Sequence, residues 1–312
     1  MSFSRGHPEE SFALTKRALE VALEHGLSEH ASTCYFILSD SCFRRDRYTE
    51  ALAYLDEALA LARKVGSRPG EWATLAERTY PLFMLGRWDD VLATADEFTQ
   101  EQVDSGGVVL SVLQTGVEVH VQRGELDAAR RIFSMFSRLE NSTDVQDRGT
   151  YLAATAALQR AEGSFEEALA AGAATIETAH VLGPSFQGVK NGVVDALEAA
   201  LALGDLARTQ ELLAFVDGLP PGTRPPYLDA HAHRLRARMA NDPAGLEVAA
   251  HLFRRLEIPF SLAVTLLEHA EQTGSEESLT EAREIFERLG ARPWLQRVSA
   301  AATPRKQEQV PA

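Results

Sequence analysis

The feature that most constrains this chain is a pattern that recurs about every 40 residues. Each occurrence begins with a bulky residue directly after a turn and continues with a residue, usually small, three positions later. The bulky residues follow one another at steps of 40, 38, 39, 41, 40 and 33 residues. These seven anchors are Tyr48, Trp88, Leu126, Phe165, Leu206, Leu246 and Leu279.

The residues around each anchor predict a helix on both sides of a tight turn. Positions three and seven residues after an anchor share one helical face, and the stretch before each turn also has helical spacing. Two positions before four of the anchors stands a glycine, at Gly86, Gly124, Gly163 and Gly204, and Asp46 takes this place in the first case. A glycine there can end a helix in a left-handed cap. Each unit therefore reads as helix, turn, helix.

A repeated helix pair predicts an extended all-α architecture. One pair cannot bury its apolar face alone, so neighbouring pairs stack around a continuous core. We expect a single solenoid of about seven units over residues 1–298, followed by a disordered polar tail over residues 299–312. The proline- and glycine-rich stretch 217–226 is interpreted as a loop within this solenoid, because the repeat resumes after it.

The turn glycine, the aromatic or leucine anchor and the alanine three positions later resemble tetratricopeptide repeats. The stretches GSFEEA (163–168) and RYTEA (47–51) carry this resemblance. The units here are longer than the ~34 residues of a standard repeat. The resemblance implies a right-handed α-solenoid whose first helices line a concave groove that binds proteins.

The amino end of the chain looks like an incomplete unit over residues 1–28. If Pro8 is an anchor, it precedes Tyr48 by 40 residues, and residues 9–25 form a second helix without its first helix. An unpaired helix exposes an apolar face, whereas stable arrays end in polar caps. We therefore expect either a longer protein with a catalytic or ATPase domain upstream in cis, or a homodimer formed through this end.

The carboxyl end has a second resemblance. The stretches EAREIFERLGARPWL (281–295) and AAHLFRRLEIPFSLA (249–263) look like the repeat arms of signalling proteins from high-GC bacteria. One such group carries a class III adenylate or guanylate cyclase and an AAA-type ATPase ahead of the repeats. The other carries a STAND-type ATPase ahead of them and a LuxR-type helix-turn-helix behind. In both groups catalysis lies outside the repeats, and here Trp294 and Leu295 can fold back as an apolar cap.

Bulk composition excludes several classes of partner. A formal net charge of −14 repels phosphate backbones, so we expect no nucleic-acid binding. No apolar run approaches the ~20 residues of a membrane span, and the first residues lack the apolar region of a signal peptide. The two cysteines, Cys34 and Cys42, are interpreted as small core residues. These features predict a cytoplasmic protein without membrane contact.

Motifs for catalysis, metal ions and cofactors are missing from the sequence. It contains no phosphate-binding G-x-x-x-x-G-K-[ST] loop, no H-E-x-x-H and no C-x-x-C. His231 and His233 are two residues apart, a spacing that points them to different sides of a helix. We therefore predict no catalytic residue, no metal site, no cofactor and no enzymatic activity.

What remains is the predicted groove on the first helices. Spaced amides and charges on a rigid groove can hold an extended peptide, although ordinary solvent-facing side chains would give the same pattern. The chain is thus predicted to be a protein-interaction and regulatory module of a signalling protein, which binds a partner or peptide in the groove or at an exposed end. A freestanding scaffold and the sensory arm of a LuxR-type regulator are the alternatives. The groove candidates are Asp40, Gln114, Glu118, Gln122, Arg160, Asn191, Glu198, His231, Arg234 and Arg238.

Overall fold

A computed structural model of the chain describes residues 8–104 and 110–302. Over these ranges the chain forms seventeen α-helices and one 3-10 helix, Ser137–Asn141. None of the helices in the described ranges is both long and apolar enough to cross a bilayer. The α-helices are α1 Pro8–Glu24, α2 Ser28–Phe43, α3 Tyr48–Val65, α4 Arg68–Met84, α5 Trp88–Ala95, α6 Gln100–Asp104, α7 Leu110–Arg123, α8 Leu126–Met135, α9 Val145–Glu162, α10 Phe165–Leu182, α11 Gln187–Leu203, α12 Leu206–Asp217, α13 Pro226–Ala240, α14 Pro243–Arg255, α15 Pro259–Thr273, α16 Glu276–Leu289 and α17 Arg292–Ala301.

The helices pair and stack in chain order. The pairs are α2–α3, α4–α5, α7–α8, α9–α10, α11–α12, α13–α14 and α15–α16, and most of them pack on the pair that follows. The predicted all-α solenoid of about seven helix-turn-helix units is confirmed. Helix α1 packs on α2 ahead of the first complete pair, and α17 follows the last one.

The small residue after each anchor lies in the core of every unit. All seven have no exposed surface, because the neighbouring helices approach most closely there. Helices α10 and α11 also approach closely at Gly172, seven positions after its anchor, where a Cβ atom would lie 2.4 Å from the Gly192 carbonyl oxygen. The seven residues are Ala51, Val91, Ala129, Ala168, Thr209, Ala249 and Ala282.

The left-handed turn residue stands at the predicted place in the first five units only. In the last two units it is Asn241 (φ 50°) and Gly274 (φ 73°), five positions before the anchors Leu246 and Leu279. The reason is that α14 begins at Pro243 and α16 begins one residue after the capping side chain of Ser275. In these units the anchor is therefore the fourth helical residue instead of the first.

The last units of the solenoid return to contact the second and third. Helix α15 begins against the α4–α5 turn, where a Cβ atom on Gly86 would lie 2.7 Å from Pro259 Cγ. Helix α17 reaches α7, and the Trp294 indole Nε1 donates a 2.9 Å hydrogen bond to Gln122 Oε1. The described chain is thus closed upon itself, and the predicted open concave groove becomes an enclosed interior.

The segments at the two ends differ from the prediction in part. Helix α1 begins at the predicted anchor Pro8, and the residues before it lie outside the described part of the chain. Residues 299–301 were predicted to belong to a disordered tail, but they continue α17, whose Val298 is fully buried. The rest of the predicted tail, from residue 303, lies outside the described residues.

Candidate functional site

A central cavity lies where the first helices of six units meet. The centres of water molecules can occupy about 80 Å³ of it, which is room for several waters. Its walls come from α4, α7, α9, α11, α13, α15 and α17. The lining residues are Phe83, Met84, Glu118, Gln122, Arg160, Asn191, Val194, Asp195, Glu198, Tyr227, His231, Arg234, Ile258, Phe260, Ser261, Val264 and Trp294.

Seven of the ten predicted groove residues line this one cavity. They project from α7, α9, α11 and α13, so residues that are more than a hundred positions apart share one enclosed space. That these side chains bind a partner stays a prediction. The seven are Glu118, Gln122, Arg160, Asn191, Glu198, His231 and Arg234.

The other three predicted residues lie elsewhere. Asp40 lines separate recesses beside α4 and accepts a 2.8 Å hydrogen bond from Arg44. Gln114 is fully buried in the core, and its amide has no hydrogen-bond partner among the described residues. Arg238 lies beside the cavity and donates a 2.9 Å hydrogen bond to Glu198. The structure therefore does not bring Asp40, Gln114 and Arg238 into the shared site.

One polar wall contains two carboxylates and one guanidinium. Arg160 Nε donates a 2.7 Å hydrogen bond to Asp195 Oδ1, across from α9 to α11. Within the described residues, Glu118 on α7 makes one long hydrogen-bond contact, 3.4 Å from the amide nitrogen of Gln122. Burial, and after it the charge of Asp195, raises the pKa of Glu118 to about 8. This wall therefore has one acidic group more than it has cations.

The second polar wall is balanced in charge. Arg234 is 2% exposed and donates hydrogen bonds to Glu198 and, at 3.0 Å, to Glu268 Oε1. Arg238 donates to Glu198 Oε2 and lies 3.4 Å from Glu268 Oε1. Burial lowers the pKa of Arg234, yet two carboxylates face two guanidinium groups here. These four side chains satisfy one another's charge without a further group.

His231 lies in the cavity as a neutral imidazole. Its ring packs against the edges of Tyr227 and Phe253, with centroids 4.5 Å and 4.8 Å away. Burial lowers the pKa of this imidazole to about 3. Its Nε2 contacts Ser261 Oγ at 3.4 Å, and Nδ1 has no partner among the described residues. His233, on the same helix, is not among the residues that line the cavity, and no group of three metal-ligating side chains occurs in the described ranges.

The remaining wall is apolar and aromatic, and the sequence did not indicate it. Phe83, Phe260 and Trp294 line the cavity, and the rings of Phe260 and Trp294 meet edge to face with centroids 5.4 Å apart. Trp294 was predicted to cap the carboxyl end of the solenoid. It does stack on Phe286, with centroids 5.5 Å apart, but its indole also reaches α7.

Two acidic residues of the polar walls were also missed. Asp195 stands four positions after Asn191 and three before Glu198, so all three share one face of α11. This spacing could have predicted Asp195 from the other two. Glu268 on α15 lies in the core, 3% exposed, and its place beside Arg234 follows only from the stacking of α13 on α15.

Comparisons with known proteins find similarity to solved structures alone. No protein-family model matches the chain, and no curated protein does. One solved structure that it resembles is a tetratricopeptide repeat protein from Parabacteroides merdae. The two chains share 12% sequence identity, and the match covers 90% of this chain and 99% of the other at a TM-score of 0.41.

Proposed function

We propose that this chain is a non-catalytic protein-interaction and regulatory module of a signalling protein. The observation that carries this proposal is the convergence of predicted groove residues on one interior cavity. Buried polar groups that the fold does not fully satisfy are costly, and they persist where they serve binding. A part of a partner that enters this cavity would meet amides, carboxylates and guanidinium groups already held in place.

The size of the cavity favours a small inserted group over an extended peptide. Glu118 and Gln122 are each 5% exposed, and Asn191 is 4% exposed, so solvent reaches very little of these three side chains. An extended strand needs roughly 5 Å of width for its backbone alone, and more for its side chains. A partner protein therefore inserts a side chain, while the rest of its surface stays outside.

The walls of the cavity suggest how binding would act on the rest of the molecule. Phe83 and Glu118 come from early units, whereas Phe260 comes from the last unit and Trp294 from the helix after it. An occupant of the cavity touches the early units and the end of the solenoid at once. It therefore changes the free energy of the contact between these two parts. Binding that differs between a closed and an opened solenoid shifts the population of the two states.

The signalling role rests on the resemblance at the carboxyl end. The stretches 281–295 and 249–263 are similar to repeat arms that regulate a cyclase or ATPase, so we place such a domain upstream in cis and the protein in the cytoplasm. The outer face of α1, with Leu14 64% exposed, would contact that domain or a second copy of the chain. A freestanding scaffold and the arm of a LuxR-type regulator remain the alternative functions.

Partner capture with two variants tests the interior site. Asn191→Leu keeps the size of a cavity residue but removes its amide, whereas Glu166→Gln changes an exposed residue of α10. We expect capture of partners from cell extract to fall at least ~10-fold for Asn191→Leu and to stay unchanged for Glu166→Gln. Equal capture by both variants would contradict an interior site.

An activity assay tests the non-catalytic part of the proposal. The purified chain should neither hydrolyse nor cyclise ATP or GTP. Turnover that survives repurification and disappears in a variant with an intact fold would overturn it.

A further inference from the structure

We infer that the interior cavity binds a small organic cation, an ammonium group on an apolar body, between Glu118 and the aromatic wall. This inference deepens the proposed function and rests on it, because it names the chemistry of the group that enters the cavity. Three independent features of the lining lead to it: the balance of charge, the unused hydrogen-bond acceptors and the aromatic surface.

When Glu118 is ionised, the lining is one cation short of charge balance. Asp195 and Glu118 share a wall with a single guanidinium, that of Arg160, which hydrogen-bonds Asp195 at 2.7 Å. In the described part of the chain, the hydrogen-bond donor near Glu118 is the Gln122 amide, at 3.4 Å. The cations of the other wall are already matched by Glu198 and Glu268. Because an ionised carboxylate buried without a counter-ion is costly, Glu118 holds a proton near neutral pH, and a ligand cation takes the place of that proton beside it.

Among the described residues, four polar atoms of the lining have no hydrogen-bond partner: two are acceptors, His231 Nδ1 can donate or accept, and Arg234 Nε is a donor. Asp195 Oδ2 and Asn191 Oδ1 have no partner among the described residues, and their side chains belong to residues that are 3% and 4% exposed. His231 Nδ1, also unpartnered, accepts in one of its two neutral tautomers. An ammonium group brings up to three donors and no acceptor, which complements this set. A carboxylate or phosphate would instead face Glu118 and Asp195.

The opposite wall suits the rest of such a molecule. Phe83, Phe260, Tyr227 and Trp294 line the cavity. An aromatic face attracts a cation that lies within about 6 Å of the ring centroid. Val264 adds aliphatic surface that can bury a short alkyl chain. Room for about 80 Å³ of water centres fits an amine of a few carbon atoms and excludes a peptide segment.

Two sources could present this chemistry. One is a free small amine, and the other is the lysine side chain of a partner protein. Both place an ammonium group on an alkyl stem at Glu118, so the lining recognises them in the same way. The experiment needs a separate arm for each source.

Calorimetric titration of the whole chain tests the first source. The probe is n-butylammonium chloride, with butan-1-ol and sodium butyrate as neutral and anionic analogues of similar shape. We expect butylammonium to bind with a Kd on the order of 1 mM or tighter, and both analogues to bind at least ~10-fold more weakly. Glu118→Gln should weaken butylammonium at least ~10-fold. Glu77→Gln, a half-buried carboxyl of α4 outside the cavity, is the matched control and should leave binding unchanged.

The second arm uses the peptide acetyl-Gly-Lys-Gly-amide in the same titrations. Binding of the peptide alone, lost in Glu118→Gln, assigns the cation to a partner's lysine; binding of butylammonium alone assigns it to a free amine. The inference is overturned if neither probe binds, or if Glu118→Gln binds as the wild type does. Partner capture that depends on Asn191 in the absence of any ammonium binding refutes only this inference. If no ammonium probe binds and partner capture does not depend on Asn191, the proposed function is refuted as well.

Discussion

The Lys190 ammonium donates a 2.6 Å hydrogen bond to Asp46 Oδ1, although the two residues are 144 positions apart. Both side chains have no exposed surface. The Asp46 carboxylate also accepts hydrogen bonds from the Tyr48 hydroxyl and from the backbone N–H of Tyr227, each at 2.7 Å. One carboxylate therefore joins the α2–α3 turn to α11 and α13.

This pair explains why the first unit lacks the turn glycine. Asp46 has φ 55°, a left-handed conformation that costs about 1–2 kcal/mol for a residue with a Cβ atom. We predict that Asp46→Gly nevertheless lowers the free energy of unfolding, by about 3–5 kcal/mol, because it leaves the Lys190 ammonium buried without a counter-ion. Equilibrium unfolding in urea measures the change.

A second substitution separates the ion pair from the turn. Lys190→Met in the Asp46→Gly background removes the unpaired charge and should restore most of the lost stability. If Asp46→Gly alone unfolds at the wild-type urea concentration, the buried pair contributes nothing.

The helix pairs could be predicted from the sequence because their signals are local. An anchor and the small residue three positions later lie on one face of one helix, and all seven small residues are fully buried. Part of the polar site could also have been predicted, because Asp195 shares one face of α11 with Asn191 and Glu198. The pairs Arg160–Asp195 and Arg234–Glu268 join residues 35 and 34 positions apart, short of the repeat of about 40 residues, so the period of the repeat did not predict them.

The closure of the solenoid could not be predicted in this way. Trp294 meets Gln122 at a separation of 172 residues, and this contact depends on the small rotation that each unit adds to the stack. Small differences in helix length and loop length accumulate over several units. For the same reason the predicted open groove became a closed cavity, with an aromatic wall contributed by the end of the chain.

The closure contact can be tested with two glycines that share one backbone conformation. Gly86 (φ 75°) and Gly204 (φ 71°) both end first helices in the left-handed region. A Cβ atom on Gly86 would lie 2.7 Å from Pro259 Cγ and 2.9 Å from Leu289 Cδ2, whereas one on Gly204 meets nothing within 4 Å. Gly204→Ala should therefore cost about 1–2 kcal/mol, and Gly86→Ala clearly more.

Small-angle scattering provides the second measurement on this pair of variants. Gly86→Ala should increase the radius of gyration, because the α15 end moves away from the α4–α5 turn, while Gly204→Ala should leave it unchanged. Equal stability losses together with identical scattering curves would show that the closure contact is unimportant.

The raised pKa of Glu118 predicts that the folded chain loses stability as the pH rises. Its pKa is about 8 in the folded chain, against an ordinary value of 4.5, through burial beside Asp195. The folded state binds more protons than the unfolded state between these values, so the free energy of unfolding falls as the pH rises from about 4.5 to about 8. Glu118→Gln should reduce this slope, to which Glu77 with its pKa of about 7 also contributes. The variant should exceed the wild type by roughly 2 kcal/mol at pH about 9, a figure reduced from the full shift because the cavity has room for water.

Urea unfolding at several pH values tests this prediction. Below pH about 4.5 the two proteins should differ little, because the carboxyl is protonated in both states. Glu166→Gln, at an exposed position of α10, controls for the removal of an acidic residue elsewhere. A constant difference between Glu118→Gln and the wild type across the range would contradict the buried, proton-binding carboxyl.

The lowered pKa of His231 predicts that the free energy of unfolding falls as the solution becomes acidic. Its pKa of about 3 lies below the ordinary value of 6.5, so the unfolded state binds the extra proton between these values. The free energy of unfolding therefore falls as the pH drops from about 6.5 to about 3. His231→Phe keeps an aromatic ring between Tyr227 and Phe253 and loses only the 3.4 Å contact with Ser261. Relative to the wild type, this variant should gain about 1–2 kcal/mol between pH about 7 and pH about 4. A difference that stays the same at both pH values would mean that the imidazole takes up a proton as easily in the cavity as in the unfolded chain.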